Sequence, residues 1–276
     1  MKPLFMQSEV NKIVRATPPQ VSWGITVMSD AETVISVNAD SVLYTASLGK
    51  IFVLAAVAEG IESGRIHRHE VKVVDEADRV ADSGLWQFMP DQTLSIESLA
   101  VLVGAVSDNL ATNTLIRHVG LDVVQRLSAD FEVPESLMLD RIRDARSELH
   151  PAAPSQGCSI DLAGVMRAIS RGAFISPVVS RDVAHWLSLN TDLSMVAAAF
   201  DLDPLAHADR PSGERFFNKT GTDRGVRADA GFYQVGHRKC AYAVIAQWDG
   251  VSVAASPVMD AMRRIGAVIC AAVVGD

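Results

Sequence analysis

The sequence predicts an α/β fold of the α+β kind: an antiparallel five-stranded sheet flanked by N- and C-terminal helices, with an all-helical insert. Three observations carry this expectation. Two β-rich runs, Val21–Met28 and Thr33–Val37, lie near the start of the chain. Three more, Arg215–Thr220, Arg227–Val235 and Cys240–Trp248, lie near its end. Between the two groups the periodic segments have helical spacing. Strands that bracket a helical block form one sheet most simply when the chain ends come together. The expected division is a sheet domain from residues 1–45 plus 205–276 and a helical domain from residues 46–204. A cleft between them is the natural place for a site.

The elements follow in order. Leu4–Ala16 reads as a helix, stopped by Thr17-Pro18-Pro19. Ser29-Asp30-Ala31-Glu32 turns the first two strands into a hairpin. Ser47–Glu62 is strongly helical, with Ile51, Leu54, Ala55 and Ala58 on one face and Gly64 as its stop. Helices are expected over Ser95–Val106, Leu110–His118 and Val123–Ala129. Pro134–Gly157 is irregular and rich in charge and proline. It exceeds the roughly 12–15 residues beyond which a structureless loop is usually functional. Helices return over Ser159–Arg171 and Val178–Leu189. The last three strands form a meander with turns at Gly221–Gly225 and Gly236-His237-Arg238, and Met259–Val274 is a closing helix.

Composition excludes several classes. Hydrophobic residues make up 49% of the 276 and charged residues 21%, enough apolar material for a core and too little charge for a disordered chain. A net charge of −8 argues against a nucleic-acid partner. Cys158, Cys240 and Cys270 have neither zinc-site nor disulfide-framework spacing. His67 and His69 have no third ligand at suitable spacing, so no metal and no cofactor are expected. The mean hydropathy is high, at +0.18. Yet Ile51–Ala58, Leu99–Val106 and Ile265–Val274 fall short of the roughly 20 apolar residues of a spanning helix. The N-terminal run is ended by Gln7 and Glu9, too early for a secretory segment. The expectation is a cytoplasmic monomer with no membrane partner.

Three short motifs carry chemistry. Ser47-Leu48-Gly49-Lys50 opens a helix, and a spacing of three places hydroxyl and amine one turn apart on one face. A serine hydroxyl needs a neighbouring base, and a lysine serves if its surroundings depress its pKa. Taken alone, the pattern fits a helix cap followed by a surface lysine better. Ser107-Asp108-Asn109 lies between two helices and also suits a capping turn. Lys219-Thr220-Gly221 ends a strand and also suits a glycine turn. Only six of the twenty-five basic residues are lysines, and two of those six stand in these motifs. Capping and turn chemistry do not explain all three in this order.

The set resembles the serine β-lactamase and penicillin-binding protein superfamily, class A β-lactamases in particular, over nearly the whole chain. The stretch from Ser95-Ile96-Glu97-Ser98-Leu99-Ala100 to Ser107-Asp108-Asn109-Leu110-Ala111-Thr112-Asn113 is similar beyond the motif itself. The resemblance implies that Ser47 is the acylated nucleophile and Lys50 its proton acceptor. Ser107 would return a proton to the departing nitrogen. Asn109 would hold the substrate and orient the lysine. Lys219 would tune Ser107 and attract a substrate carboxylate, which Thr220 would also bind, with Gly221 in the same substrate-binding stretch. The N–H groups of Ser47 and Thr222 would form an oxyanion hole. Arg227 matches the place of a carboxylate-binding arginine, and equally suits an exposed strand edge. Trp86 either walls the cleft or packs.

The long loop breaks the pattern. Ser147-Glu148-Leu149-His150-Pro151-Ala152-Ala153-Pro154 resembles the second half of the family's loop. In that register Arg146 replaces the glutamate that activates water, and His150 replaces an asparagine. Aligned from Leu139-Asp140-Arg141, Arg143 takes the glutamate's place. Asp144 or Glu148 would substitute only after a backbone rearrangement, and His150 is a base by chemistry alone. The expectation is a serine hydrolase acting through an acyl-enzyme on a carboxylate-bearing amide, lactam or ester, with deacylation in doubt. The alternatives are an intracellular esterase, amidase or acyltransferase on a biosynthetic metabolite, an acyl-trap protein without turnover, and a peptidoglycan enzyme. The last conflicts with the N-terminal run.

Overall fold

The computed structural model describes residues 3–208 and 213–274, and the side chains of 272–274 fall outside the description. Residues 1–2, 209–212 and 275–276 of the expected sheet domain therefore lie outside the described residues. Helix α1 is Pro3–Arg15, followed by strands β1 (Ser22–Ser29), β2 (Thr33–Val37) and the short β3 (Leu43–Tyr44). A 3₁₀ turn, Ala46–Gly49, leads into α2 (Lys50–Glu62). Strands β4 (Val71–Val73) and β5 (Thr93–Ser95) form a two-stranded ribbon, with 3₁₀ turns Glu76–Asp78 and Trp86–Phe88 between them. Helices α3 (Ile96–Val106), α4 (Asn109–Val119) and α5 (Leu121–Asp130) follow. The long loop runs between β6 (Leu137–Met138) and β7 (Ser155–Gly157), and α6 (Ser159–Ser170) and α7 (Pro177–Leu187) come next. After a 3₁₀ turn, Val196–Phe200, the chain ends in β8 (Arg215–Asp223), β9 (Val226–Val235), β10 (Arg238–Gln247) and α8 (Ala255–Val274).

The main sheet has the order β2-β1-β10-β9-β8, antiparallel throughout. Strands from both chain ends meet where β1 pairs with β10, as the bracketing pattern predicts. The period-2 alternation sorts side chains onto two faces. Trp23, Ile25, Val27, Phe216, Tyr233, Tyr242 and Val244 face α1, α8 and the Val196–Phe200 turn. Phe200 meets Phe216 and Tyr233 at ring separations of 4.8 and 4.7 Å. The opposite face carries Ala228, Ala230, Ala241 and Ala243, small residues that let α6 lie close. Thr26 and Ser159 share a hydrogen bond of 2.9 Å across that contact.

Helix α2 is the axis of the helical block. Every residue from Lys50 to Ala58 is buried, which suits a helix that is apolar on all sides. Start signals fix its neighbours. Ser95 accepts from Ser98 N–H at 3.1 Å, and Ser176 accepts from Val179 N–H at 3.0 Å with Pro177 in the first turn of α7.

Three differences from the sequence expectation matter for the site. Ser47 lies in a 3₁₀ turn and not in α2, because Ala46 takes a positive φ of 49° just before it. The strand carrying Lys219 does not end at Thr220. It pairs through Gly221 and Thr222 to Asp223, and the turn is only Arg224-Gly225. The segment 134–157 is not wholly irregular, since β7 pairs with both β3 and β6. Trp86 is fully buried, its indole donating to Asp91 O at 2.9 Å, so it packs and does not wall the cleft.

Trp186 on α7 is fully buried and donates to Glu97 Oε1 at 2.8 Å. Trp186→Ala should lower unfolding stability by about 3–5 kcal/mol, chiefly through cavity formation, with loss of the bond to Glu97 adding to it. A urea titration followed by circular dichroism checks this.

Candidate active site

The site is built where the start of α2, the α3–α4 junction and β8 converge. In the 3₁₀ turn, residues three apart stand one above the other, so Ser47 and Lys50 share a face. The turn is braced from behind. Thr45 Oγ1 and Ser155 Oγ are 2.8 Å apart, and Ser155 Oγ also donates to Ala46 O. In front, β8 passes so closely that a Cβ on Gly221 would lie 2.2 Å from Thr45 O and 3.1 Å from Ser47 N. Glycine is required there by this approach of two backbones.

The α3–α4 junction reverses in one residue. Ser107 adopts the left-handed conformation, φ 56°, which costs a non-glycine residue about 1–2 kcal/mol. Buried Asp108 holds the turn: its Oδ1 accepts from Ala111 N–H at 2.9 Å, and its Oδ2 from Leu85 and Trp86 N–H at 2.7 and 2.8 Å. The turn aims both the carbonyl and the hydroxyl of Ser107 at α2. Lys50 Nζ donates to Ser107 O at 2.7 Å, to Ser107 Oγ at 3.1 Å and to Asn109 Oδ1 at 2.6 Å. Asn109 is fixed in turn by donating to Ala81 O at 3.2 Å. The Lys50 side chain is wholly buried. Burial, and then the nearby Lys219 charge, hold its pKa well below the ordinary lysine value against the opposing pull of Asp108 and Asp82.

Lys219 is also sealed, with no exposed surface, and donates to Thr220 O at 2.9 Å. Burial pushes its pKa down to about 8, opposed by Asp192 and Asp229. In an edge strand, alternate residues turn both N–H and C=O away from the partner strand. Thr220 belongs to that outward set because its carbonyl meets Lys219, so Thr222, two residues on, presents its N–H to the cleft. Beneath Lys219 lies a polar core. Asp229 accepts from Asn218 Nδ2 at 3.0 Å, Tyr242 OH at 2.9 Å and Val196 N–H at 3.0 Å, and Asn190 donates to Asn218 Oδ1 at 2.8 Å.

The Ser47 hydroxyl makes no hydrogen bond among the described residues and opens onto two pockets. The smaller, about 170 Å³, is lined by Ser107, Thr191, Asp192, Thr220 and Thr222 besides Ser47. The larger, about 920 Å³, reaches from Ser47 and Asn109 to Arg143, Asp144 and Arg146 of the long loop. The expected residues thus divide. Ser47, Lys50, Ser107 and Asn109 come together, with Thr220, Gly221 and Thr222 along one wall. Arg227 does not reach this site. Its Nη1 donates to Asp223 O at 2.8 Å and Val226 O at 2.7 Å, and its guanidinium lies over Trp248 at 5.9 Å.

In the loop, Arg146 lines the larger pocket but is committed to the loop's own fold. It donates to Asp140 Oδ2 at 2.9 Å, Pro151 O at 3.0 Å and Arg141 O at 3.0 Å. Arg143 joins it on Asp140 at 2.6 Å. Burial would raise the Asp140 pKa, but these arginines and the Arg141 N–H hold it below the usual carboxylate range. Glu148 is exposed and His150 is held by Ser147, its Nδ1 3.2 Å from Ser147 N; neither lines either pocket. His67 and His69 are exposed, and among the described residues no three metal-ligating side chains cluster. The cysteines offer no rival nucleophile of low pKa: burial pushes Cys158 up to about 11 and Cys240 up to about 12, and it raises Cys270.

Sequence reading misses Asp192, Asn190, Asp229 and Asp82. Asp229 carries a faint signal, an acid between Ala228 and Ala230 in an otherwise apolar strand. Asn190-Thr191-Asp192 follows a helix end and reads as ordinary cap chemistry.

A five-stranded antiparallel sheet facing a helical block, with a serine, two buried lysines and a second serine in the cleft, defines a β-lactamase-like protein. The sequence matches the Beta-lactamase enzyme family over residues 6–273, and the chain belongs to that family. Solved structures share the fold. A β-lactamase from Sphaerobacter thermophilus DSM 20745 is 24% identical, with a TM-score of 0.84 and 98% of each chain covered. PBP-A is 17% identical with a TM-score of 0.79, covering 99% of this chain and 97% of that one. A representative of class A β-lactamase from Bacteroides cellulosilyticus DSM 14838 is 16% identical with a TM-score of 0.79, covering 100% of both. No curated protein matches the sequence. Among the described residues no helix is long and apolar enough to cross a membrane.

The Asp229 network has a measurable consequence. Burial raises its pKa to about 7, against three hydrogen bonds. Between about pH 4 and 7 the unfolded chain has lost this proton while the folded chain keeps it, so its contribution to stability falls as pH rises through that window. The stability difference between wild type and Asp229→Asn should therefore shift against wild type from pH 4.5 to 7.5. Urea unfolding of both proteins at the two pH values checks the sign.

Proposed function

We propose that the protein is a serine hydrolase that attacks an amide, lactam or ester through a Ser47 acyl-enzyme, with acylation faster than deacylation. The observation that carries this is the Lys50 amine, sealed from water beneath an open Ser47 and hydrogen-bonded to Ser107 Oγ and Asn109 Oδ1. An ammonium has three N–H donors, and all three are in use. The neutral amine has two and a lone pair, and burial favours that form. Neutral Lys50 takes the Ser47 proton as Oγ attacks the carbonyl. The N–H groups of Ser47 and Thr222 face the developing oxyanion. Ser107, already bonded to Lys50, passes the proton to the departing atom, and the acyl group stays on Ser47.

The second half of the reaction lacks its usual base. An arginine is always protonated and has no acceptor, so Arg146 and Arg143 cannot take a proton from water. Of the loop carboxylates, Asp140 is shared by both arginines, and Asp144, which accepts from Ala81 N–H at 2.8 Å through one oxygen, is the one that also lines the larger pocket. Among the structural neighbours, a point mutant of PBP-A is an acyl-enzyme complex with penicillin G. For the present chain the reading is a stoichiometric burst followed by slow release.

Time-resolved intact mass with penicillin G and with an activated acyl ester tests this. Wild type should gain one acyl mass that decays slowly, and Ser47→Ala should gain none. Lys50→Met should acylate about 10²–10⁴-fold more slowly, the usual worth of a positioned base. Labelling of Ser47→Ala at the wild-type rate would sink the reading. In a separate check, Gly221→Ala should keep the helical and strand content seen by circular dichroism. It should slow acylation by about 10²-fold or more, because it parts Thr222 N–H from Ser47 N–H.

A further inference from the structure

One residue of the long loop is fixed to the helical block by both of its backbone groups. Asn113 Oδ1 accepts from Ile142 N–H at 2.8 Å, and Asn113 Nδ2 donates to Ile142 O at 3.0 Å. Nδ2 also donates to Asp78 O at 3.1 Å, and Asn113 is buried, so the clamp is stiff. Asn113 stands one turn after Asn109 on α4, on the same face and about 6 Å further along the axis. Asn109 Oδ1 accepts from Lys50 Nζ at 2.6 Å. One face of α4 therefore holds the amine beneath Ser47 and, a turn away, residue 142. The half-buried Ile142 side chain packs on the core of the helical block and lines the larger pocket with Ser47 and Asn109. Val80, Ala152 and Pro154 extend this apolar side of the pocket. The neighbouring arginines reach away from it, both to Asp140, at 2.6 and 2.9 Å. The two registers of the loop sequence put a water-activating group at 143 or 146. The clamp puts that place at 142.

We propose that Ile142 keeps the acyl group on Ser47: it fills the loop position that faces the acyl ester with a side chain that neither holds a water nor takes its proton. This rests on the acyl-enzyme reading and assigns the slow second step to one residue. A carboxylate at 142 would restore that step. In Ile142→Glu the new carboxylate takes a proton from water as the water oxygen bonds to the acyl carbon. The acyl–Oγ bond then breaks, Ser47 Oγ recovers the proton, and the acid leaves. Carboxylates at 143 or 146 would instead replace a guanidinium that Asp140 holds.

The test follows the second step alone. Each protein is acylated with penicillin G, freed of excess by rapid desalting, and followed by intact mass as the acyl mass is lost. Ile142→Glu should release at least about 10²-fold faster than wild type, the lower worth of a positioned base. Ile142→Gln, of similar size without a base, should stay well short of that gain, as should Arg143→Glu and Arg146→Glu. The Ile142→Glu rate should fall in acid as one carboxylate protonates, at about pH 4 for an ordinary glutamate. The gain should survive Asp144→Asn, which shows that the substitution did not merely free Asp144 to act. An equal gain in Ile142→Gln or in either arginine variant, a gain lost with Asp144→Asn, or no gain in folded Ile142→Glu overturns the proposal. If circular dichroism shows Ile142→Glu unfolded, Ile142→Ala with added formate carries the test. Release should then rise with formate in that variant and not in wild type, and no difference between the two overturns the proposal. Acyl mass that forms on wild type and persists in Ile142→Glu rejects the role of Ile142 and keeps the hydrolase. No acyl mass on wild type rejects both.

Discussion

Most of this structure is organised around one costly placement, a lysine amine buried at the start of an apolar helix. A protonated lysine in that position would strand a charge away from water, and no carboxylate is bonded to Lys50 to offset it. Three neutral acceptors take its protons instead, the carbonyl and hydroxyl of Ser107 and the amide of Asn109. Such acceptors solvate the amine without pinning it in the charged state, as an ion pair would. The second lysine, Lys219, adds a like charge nearby and pushes in the same direction. The result is an amine whose neutral form is favoured, the form that the proposed base requires.

Holding those acceptors in place explains several local features that otherwise look unfavourable. Ser107 occupies a left-handed conformation because only an abrupt reversal between α3 and α4 brings its carbonyl and hydroxyl to one amine. The strain is offset by Asp108, which ties the turn to the 84–86 segment with two bonds and starts α4 with a third. Gly84 belongs to the same arrangement: a Cβ there would lie 2.4 Å from the Asp108 carboxylate. On the other wall, the close pass of Gly221 over Thr45 lets β8 bring an outward N–H next to the start of the 3₁₀ turn. The helical block and the sheet thus meet through backbone contacts, whose geometry is stiffer than that of side chains.

Much of this can be read from the chain because it rests on short-range rules. A serine and a lysine three apart, a capping triplet between helices, and a lysine before a glycine at a strand end are local patterns. Their residues come together because the elements carrying them are fixed by strong periodicity, as in α2 and β10. What sequence reading misplaces depends on tertiary contact. Gly221 looks like a turn residue and is a strand residue, because close packing against Thr45 explains a glycine as well as a turn does. Arg227 looks like a ligand for an anion, but carbonyls of its own hairpin and the Trp248 ring, 21 residues away in sequence, claim it. Asp192 has no pattern around it, since it reaches the cleft only through the pocket that β8 and the α3–α4 junction line with it.

The long loop is held together by its own charges and carbonyls. Asp140 anchors Arg143 and Arg146, and Arg146 also spans the loop to the carbonyls of Arg141 and Pro151. Two guanidiniums meet two carboxylates in this stretch: Asp140 takes both arginines, and Asp144 stands with them on the wall of the larger pocket. The arginines lower the basicity of Asp140, which works against its use as a general base. Arg146→Glu would place a new carboxylate against Asp140 with one of its two arginines gone.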